Sequence, residues 1–362
     1  MKKLAAILFL LAIVSAGKSY GDEYPLLPWN YSLDVATGAR AVAMGSAVSA
    51  NPDLITSFRF NPGVLAEEEG LRTYYSLRPS NVGGYESDFY SLGLVLETSL
   101  AGFALDYTRN ASEERGVLVQ PDFYYTQAEC YDYTITASAA RQLYRSLSAG
   151  ISLKYFKRGV DYKNFSVPDS ESGGAVAGDI GLYYRLEGLT RSGSAEDHFR
   201  FGVSIRNMAT NSDYAGREWK LPTILRTGFS YQIARDRKEE AELIRIVLSV
   251  EYRRWLNRDE MYEDQTDYFS YGIESRLLET FSLRLGGLVP PEYGIYGIKE
   301  DMVFVYGAGL EFSIRRFSSA GVPLSVSLDY AYVPTVDSHY YFDDDNSANV
   351  FTVSIRYNNQ IF

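Results

Sequence analysis

The sequence holds one cysteine, Cys130, and two histidines, His198 and His339. A lone thiol closes no intramolecular disulfide, and no Cys/His set stands at metal-ligand spacing. Cys130 lies far from the N-terminus, so it is no lipoprotein-type processing site. His198 follows Glu196-Asp197, and His339 follows Ser338 in a stretch read as a loop. Neither is placed on a strand beside a serine, as a barrel hydrolase would need. No glycine-rich phosphate loop occurs. The acidic stretch 337–346 lacks the ligand spacing of a calcium-binding EF-hand loop and reads as a solvated loop. An enzyme is therefore not expected, nor a metal, nor any cofactor. Long apolar runs are also missing after the first residues, although a membrane-spanning helix needs about 20 such residues. Positive charge is in deficit, with 35 Lys and Arg against 46 Asp and Glu. Nucleic acid, whose phosphates demand a basic face, is excluded as a partner.

The chain begins with a basic Met1-Lys2-Lys3, an apolar run from Leu4 to Val14, and small residues at Ser15-Ala16-Gly17. That order is the pattern of a secretory signal peptide. It spans 1–16, with cleavage after Ala16 expected and Gly21 as the latest alternative.

What the sequence has in excess is aromatic residues: 31 Tyr and 19 Phe, with aromatics at 15%. Tyrosine joins an apolar body to a polar tip, which suits the two interfaces of a membrane barrel. Strict alternation accompanies it. Phe351, Val353, Ile355 and Tyr357 alternate with Thr352, Ser354 and Arg356. Leu324, Val326, Leu328 and Tyr330 alternate with Ser325, Ser327 and Asp329. Period two places one set on each face of a strand, here an aromatic-apolar face and a small, polar, charged one. About fourteen such segments are expected, each near the ten-residue length of barrel strands. They span 70–78, 87–97, 100–109, 131–141, 146–157, 175–187, 199–207, 221–233, 242–254, 267–277, 280–288, 302–315, 323–333 and 348–358. Links after odd strands are mostly long and those after even strands mostly short, with 188–198 and 234–241 as exceptions. Long outer loops and short inner turns are the habit of outer-membrane barrels. A soluble sandwich also alternates, but the signal peptide, the aromatic load and the loop pattern favour an all-β transmembrane antiparallel barrel over 70–362. An even strand count brings both termini to the periplasmic side of a bacterial outer membrane.

Residues 22–69 do not alternate. They are rich in small side chains, and their composition suits a plug packed within the lumen. The plug residues singled out are Gly38, Arg40, Met44, Gly45, Asn61, Pro62 and Gly63. The glycines allow tight turns or close backbone approach, and Pro62 fixes a turn.

Gly38-Ala39-Arg40-Ala41 with Met44-Gly45, followed by Asn61-Pro62-Gly63-Val64-Leu65-Ala66, resembles the opening of the PorV/PorQ-like proteins within the wider FadL-type outer-membrane superfamily. The stretches 306–312, 327–334 and 354–357 are similar to the closing strands of that family. The resemblance implies a fourteen-stranded barrel with an N-terminal plug.

On the barrel strands, Arg226, Arg245, Glu251, Arg253, Glu274, Arg276, Arg284, Glu311, Arg315, Asp329 and Arg356 all fall on the polar face. Charges are costly against lipid and belong in the lumen. Their interspersed signs favour a salt-bridge lattice anchoring the plug over a selective polar path. Three functional readings follow. FadL-type passage of a hydrophobic small molecule, with lateral exit at a β-bulge or glycine kink in an early strand, stands first. A PorV-like scaffold for protein secretion stands second, with outer loops 110–130, 158–174 and 334–347 as contacts and Phe123, Tyr124 and Tyr125 as anchors. A general porin stands third. Expected partners are outer-membrane lipid, the barrel-assembly machinery, a hydrophobic ligand, and secreted proteins or a secretion channel.

Overall fold

The computed structural model describes residues 33, 36–52, 55–67, 70–82, 85–98, 100–119, 124–162, 171–188, 195–210, 212–214, 217–219, 221–237, 241–256, 267–289, 303–314, 323–334 and 348–357. Fourteen antiparallel strands close into a barrel. They are β1 (Leu71–Val82), β2 (Tyr85–Glu97), β3 (Gly102–Val119), β4 (Tyr124–Tyr144), β5 (Leu147–Tyr162), β6 (Glu171–Glu187), β7 (Ala195–Ala209), β10 (Ile224–Arg237), β11 (Ala241–Trp255), β12 (Asp267–Leu277), β13 (Phe281–Val289), β14 (Val303–Ser313), β15 (Leu324–Val333) and β16 (Ala348–Tyr357). A small hairpin of β8 (Ser212–Tyr214) and β9 (Arg217–Trp219) sits in the link between β7 and β10. Closure is made by β1 on β16, with Leu71 opposite Tyr357. The first and last barrel strands thus begin and end side by side, at what we call the terminal end.

Alternation decides which way each side chain points. On β5, Ile151 and Leu153 are each 63% exposed, whereas Ser148, Ser152 and Lys154 are buried. The same phase runs around the barrel: Leu92, Leu105, Ile135, Leu182, Leu248 and Leu283 all face outward. A continuous apolar belt of this extent is what lipid requires and water does not tolerate. Aromatic rings border it. Tyr90, Tyr107, Tyr133 and Tyr155 form a ladder across β2–β5 with centroids 6.1–6.3 Å apart, and Tyr306 stacks on Tyr332 at 5.8 Å. Towards the terminal end Phe199 lies against Tyr231 and Phe229. An arginine replacing Ile151 in this belt should destabilise insertion by about 2–4 kcal/mol, as a midplane charge does. Urea titration of refolding into phospholipid vesicles measures it.

The strand count matches the expected fourteen, but several strands are longer. The stretch 110–130, expected to be an outer loop, is mostly the paired tip of the β3–β4 hairpin: Ser112 faces Cys130, and Val119 faces Tyr124. Tyr124 and Tyr125 are therefore ladder residues rather than loop anchors, and Phe123 lies outside the described residues. The reason is physical. Alternating apolar residues mark only the part of a strand that meets lipid, while backbone pairing needs no apolar face and continues above the belt through Glu113, Glu114 and Arg115. For the same reason the exceptional links shrink. The charged stretch 234–241 is largely strand, with Arg235 and Arg237 paired to β11, and β7 already begins at Ala195. The loop 334–347 lies almost wholly outside the described residues, as do His339, Arg315 and the segment 1–32.

Candidate functional site

The described part of the N-terminal segment packs against the inner side of the wall. Gly38, at φ +91°, leads into a short helix, α1 (Ala39–Ala43). Gly45 and Ser46, at φ +62° and +64°, end it. Two 3-10 turns follow, Ser57–Arg59 and Pro62–Glu67. The segment is buried along nearly its whole described length, Met44, Val48, Phe58, Phe60, Val64 and Leu65 included. Small side chains let its backbone lie against the wall, and the wall answers with glycine. A Cβ on Gly202 would stand 2.0 Å from the Ser49 carbonyl oxygen, and one on Gly286 2.2 Å from the Gly45 nitrogen. Gly150 meets Pro62 in the same way, Gly181 meets Asn61, Gly272 meets Met44 and Gly307 meets Ala43.

Between these contacts run charged and polar ties. Arg40 donates to both oxygens of Glu274 at 2.6 and 2.5 Å, and Arg284 donates to the same carboxylate at 2.6 Å. Arg284 also pairs with Asp329 at 2.7 Å, and Arg276 with Glu311 at 2.8 Å. Glu251 accepts the backbone N–H groups of Val48 and Ser49 at 2.9 and 2.8 Å, the Ser49 hydroxyl, and the Arg226 guanidinium. Arg226 and Arg206 flank the Phe60 ring, with Cζ 4.5 and 5.1 Å from its centroid. Asn61 spans segment and wall: its Nδ2 donates to the carbonyls of Ser49 and Leu182, and its Oδ1 accepts the N–H of Gly63 at 3.0 Å.

The residues singled out in the sequence are thus mostly brought together. Gly38, Arg40, Met44, Gly45, Asn61, Pro62 and Gly63 all belong to the buried segment. Arg226, Glu251, Glu274, Arg284, Glu311 and Asp329 all face the lumen and join the lattice. Arg245 lies half-buried on the inward phase of β11. Inward charges of the earlier strands were missed. Asp106 receives Arg59 at 2.9 Å and the Tyr74 hydroxyl, and Arg185 binds Glu67 of the segment. The sign of Asp106 was available in the alternation around Phe103, Leu105 and Tyr107. The glycines were missed because a strand glycine carries no mark of what approaches it.

One interruption breaks the middle of the described wall; the other register shifts lie near hairpin ends. Between β6 and β7 the pairing passes from Gly178↔Met208 to Ile180↔Ile205. Arg206 and Asn207 therefore both face inward opposite Asp179, with Asn207 at φ +56°. Two residues against one is a β-bulge. It stands in the sixth and seventh strands rather than an early one, and β1–β2 pair without a shift. Asp179 accepts the Asn207 N–H at 2.8 Å and pairs with Lys154 at 2.6 Å, and Lys154 also reaches the Asn207 amide oxygen at 2.9 Å. Beside this polar knot the lumen turns apolar: Phe156, Ala175 and Ala177 of the wall pack with Leu33 and Leu221.

No family model and no curated protein matches the sequence. Solved structures do. The Pseudomonas putida toluene transporter TodX is 11% identical, with 90% of this chain covering 98–99% of that one at TM-scores of 0.50 and 0.51. The CymD monoaromatic hydrocarbon channel is 14% identical, over 90% of this chain and 98% of that one, at a TM-score of 0.50. The chain shares their fold. At this identity the likeness shows the barrel fold and nothing narrower.

Proposed function

We propose that the protein passes hydrophobic small molecules across the outer membrane, through a barrel plugged by its N-terminal segment, with lateral exit at the β6–β7 interruption. The observation that carries this reading is the placement of the apolar cluster of Phe156, Ala175, Ala177, Leu33 and Leu221 beside that interruption: Ala177 faces Ala209 two pairs before the bulge. An open porin would keep a hydrated path, whereas the described residues of the segment lie buried against the inner wall, which supports a plug. The substrates named for TodX and CymD, toluene and monoaromatic hydrocarbons, support a small hydrophobe as cargo. Membership of the PorV/PorQ branch is part of the proposal, supported by the motif residues at both ends. The terminal end faces the periplasm in this reading. The two-residue turn between β4 and β5 and the three-residue turn between β12 and β13 lie there, as inner turns do.

The substitution Phe156→Asp places a charge in the apolar patch and should lower uptake of a labelled monoaromatic by at least tenfold, since an uncompensated buried charge costs several kcal/mol. Heat-dependent gel migration checks that the barrel still folds. The wild-type protein, purified from outer membranes in mild detergent, should carry a hydrophobe detectable by mass spectrometry. A stoichiometric secreted protein or channel component without any hydrophobe would turn the reading to a PorV-like secretion scaffold, with the raised β3–β4 hairpin as its contact surface. Unchanged uptake by a folded Phe156→Asp barrel would count against the route.

A further inference from the structure

The turn that joins β4 to β5 at the terminal end carries two basic and two apolar side chains on the outside of the barrel. On β4 the residues Ile135, Ala137 and Ala139 point outward, and Arg141 continues that phase as an exposed residue. The pairing then slips. Gln142 faces Ser148 but Tyr144 faces Leu147, so Leu143 has no partner across the hairpin. Such a bulge bends the strand end and re-aims its side chains. Leu143 is left 61% exposed and Tyr144 72%, and Arg145 is exposed beside them. The turn is nonetheless fixed, since the side-chain amide of Gln142 donates to the Arg145 carbonyl at 2.9 Å. Among the described residues no acidic side chain shares this outward face. Phe103 of β3 lies next to Ala139, Leu182 of β6 lies opposite Ala149, and Tyr184 lies opposite Leu147. The height fits a membrane edge. Along β4, Arg141 stands eight residues from Tyr133, a rung of the ring ladder at the opposite edge of the belt. At the usual rise and tilt of barrel strands that is about 21 Å along the barrel axis. The apolar band of such barrels is about 25 Å tall, so Arg141 and Arg145 stand at head-group level.

We propose that this turn binds the head group of an anionic phospholipid, with Arg141 and Arg145 on the phosphate and Leu143 and Tyr144 against the first carbons of the acyl chains. Guanidinium forks match phosphate oxygens in bidentate fashion, and a tyrosine suits a site that is apolar at one end and wet at the other. The site lies outside the wall and does not depend on what the barrel transports. That the lipid belongs to the periplasmic leaflet rests on the orientation given above; the binding itself does not.

The test is native mass spectrometry of the full-length mature protein, released from uncharged detergent after incubation with equimolar phosphatidylglycerol and phosphatidylcholine of the same acyl chains. Phosphatidylglycerol should be retained in preference by at least tenfold, since each basic residue at an anionic lipid surface contributes about fivefold. The double substitution Arg141→Gln with Arg145→Gln should remove the preference. Leu143→Ser with Tyr144→Ser should weaken retention of both lipids and leave their ratio unchanged. Arg235 of β10 is the control: it is exposed on the outward phase at the same end but beyond β6 and β7, and Arg235→Gln should keep the wild-type ratio. Heat-dependent gel migration checks that each variant folds. No preference in the wild type, a preference unchanged in the folded Arg141→Gln, Arg145→Gln barrel, or an equal loss in Arg235→Gln would overturn the proposal.

Discussion

Replacing Glu274 with alanine should loosen the N-terminal segment from the barrel and cost about 3–5 kcal/mol, the usual penalty for removing one partner of a buried ion pair. Glu274 of β12 is 1% exposed and is one of the residues joining segment to wall, since Arg40 comes from α1 and Arg284 from β13. Without it Arg284 keeps Asp329, but the fork of Arg40 loses both of its bonds to that carboxylate. The low dielectric that strengthens the pair then penalises the cation left behind. Arg40 escapes by moving towards water, and α1 moves with it. Two measurements read the outcome. Limited proteolysis should cleave between residues 36 and 60 in the variant and spare the wild type. Planar-bilayer recordings should show larger and more frequent current steps. Glu67→Ala is the internal comparison: the Glu67 side chain is 6% exposed but its partner Arg185 is one-third exposed and can turn to water, so the loss should be smaller than at Glu274, where both partners are more deeply buried. Equal effects from the two variants would mean that the lattice shapes the wall and does not hold the segment.

How far the sequence discloses this arrangement depends on the physics of each part. Lipid imposes period two on every strand that meets it, so β10 through β16 and their inward charges are legible residue by residue, down to Glu274 and Asp329 on the polar face. The top of the β3–β4 hairpin is not legible, because above the belt only backbone bonds hold it. The buried segment is half-legible. Its small residues and the Asn61-Pro62-Gly63 turn mark close packing, but nothing local says which strand each residue meets. Ser49 finds Glu251 two hundred positions away, and such contacts arise from the closed barrel, not from neighbouring sequence. The bulge was invisible for a related reason. Arg206 and Asn207 sit in a strand that keeps its apolar phase on both sides, and only the partner strand reveals that two residues oppose one.

The largest packing effect is expected at Gly202. Its Cβ position lies 2.0 Å from a backbone oxygen of Ser49 and 2.7 Å from the carbonyl carbon, so no side-chain rotation relieves the clash. Overpacking of this kind costs about 1–3 kcal/mol where neighbours can shift, and here β7 is fixed by two flanking strands. The segment is the part that yields. Gly202→Ala should therefore displace residues 48–51, break the Glu251 bonds to Val48 and Ser49, and raise passive uptake of small polar solutes through the emptied bore. Gly178→Ala is the control, since its added carbon would sit in ordinary contact at 3.6 Å from the Ser152 oxygen. A double-mutant cycle with a barrel lacking residues 36–67 separates the causes. If Gly202 is small for the sake of the segment, alanine there becomes neutral once the segment is gone; if the penalty persists without it, the glycine serves the curvature of the wall.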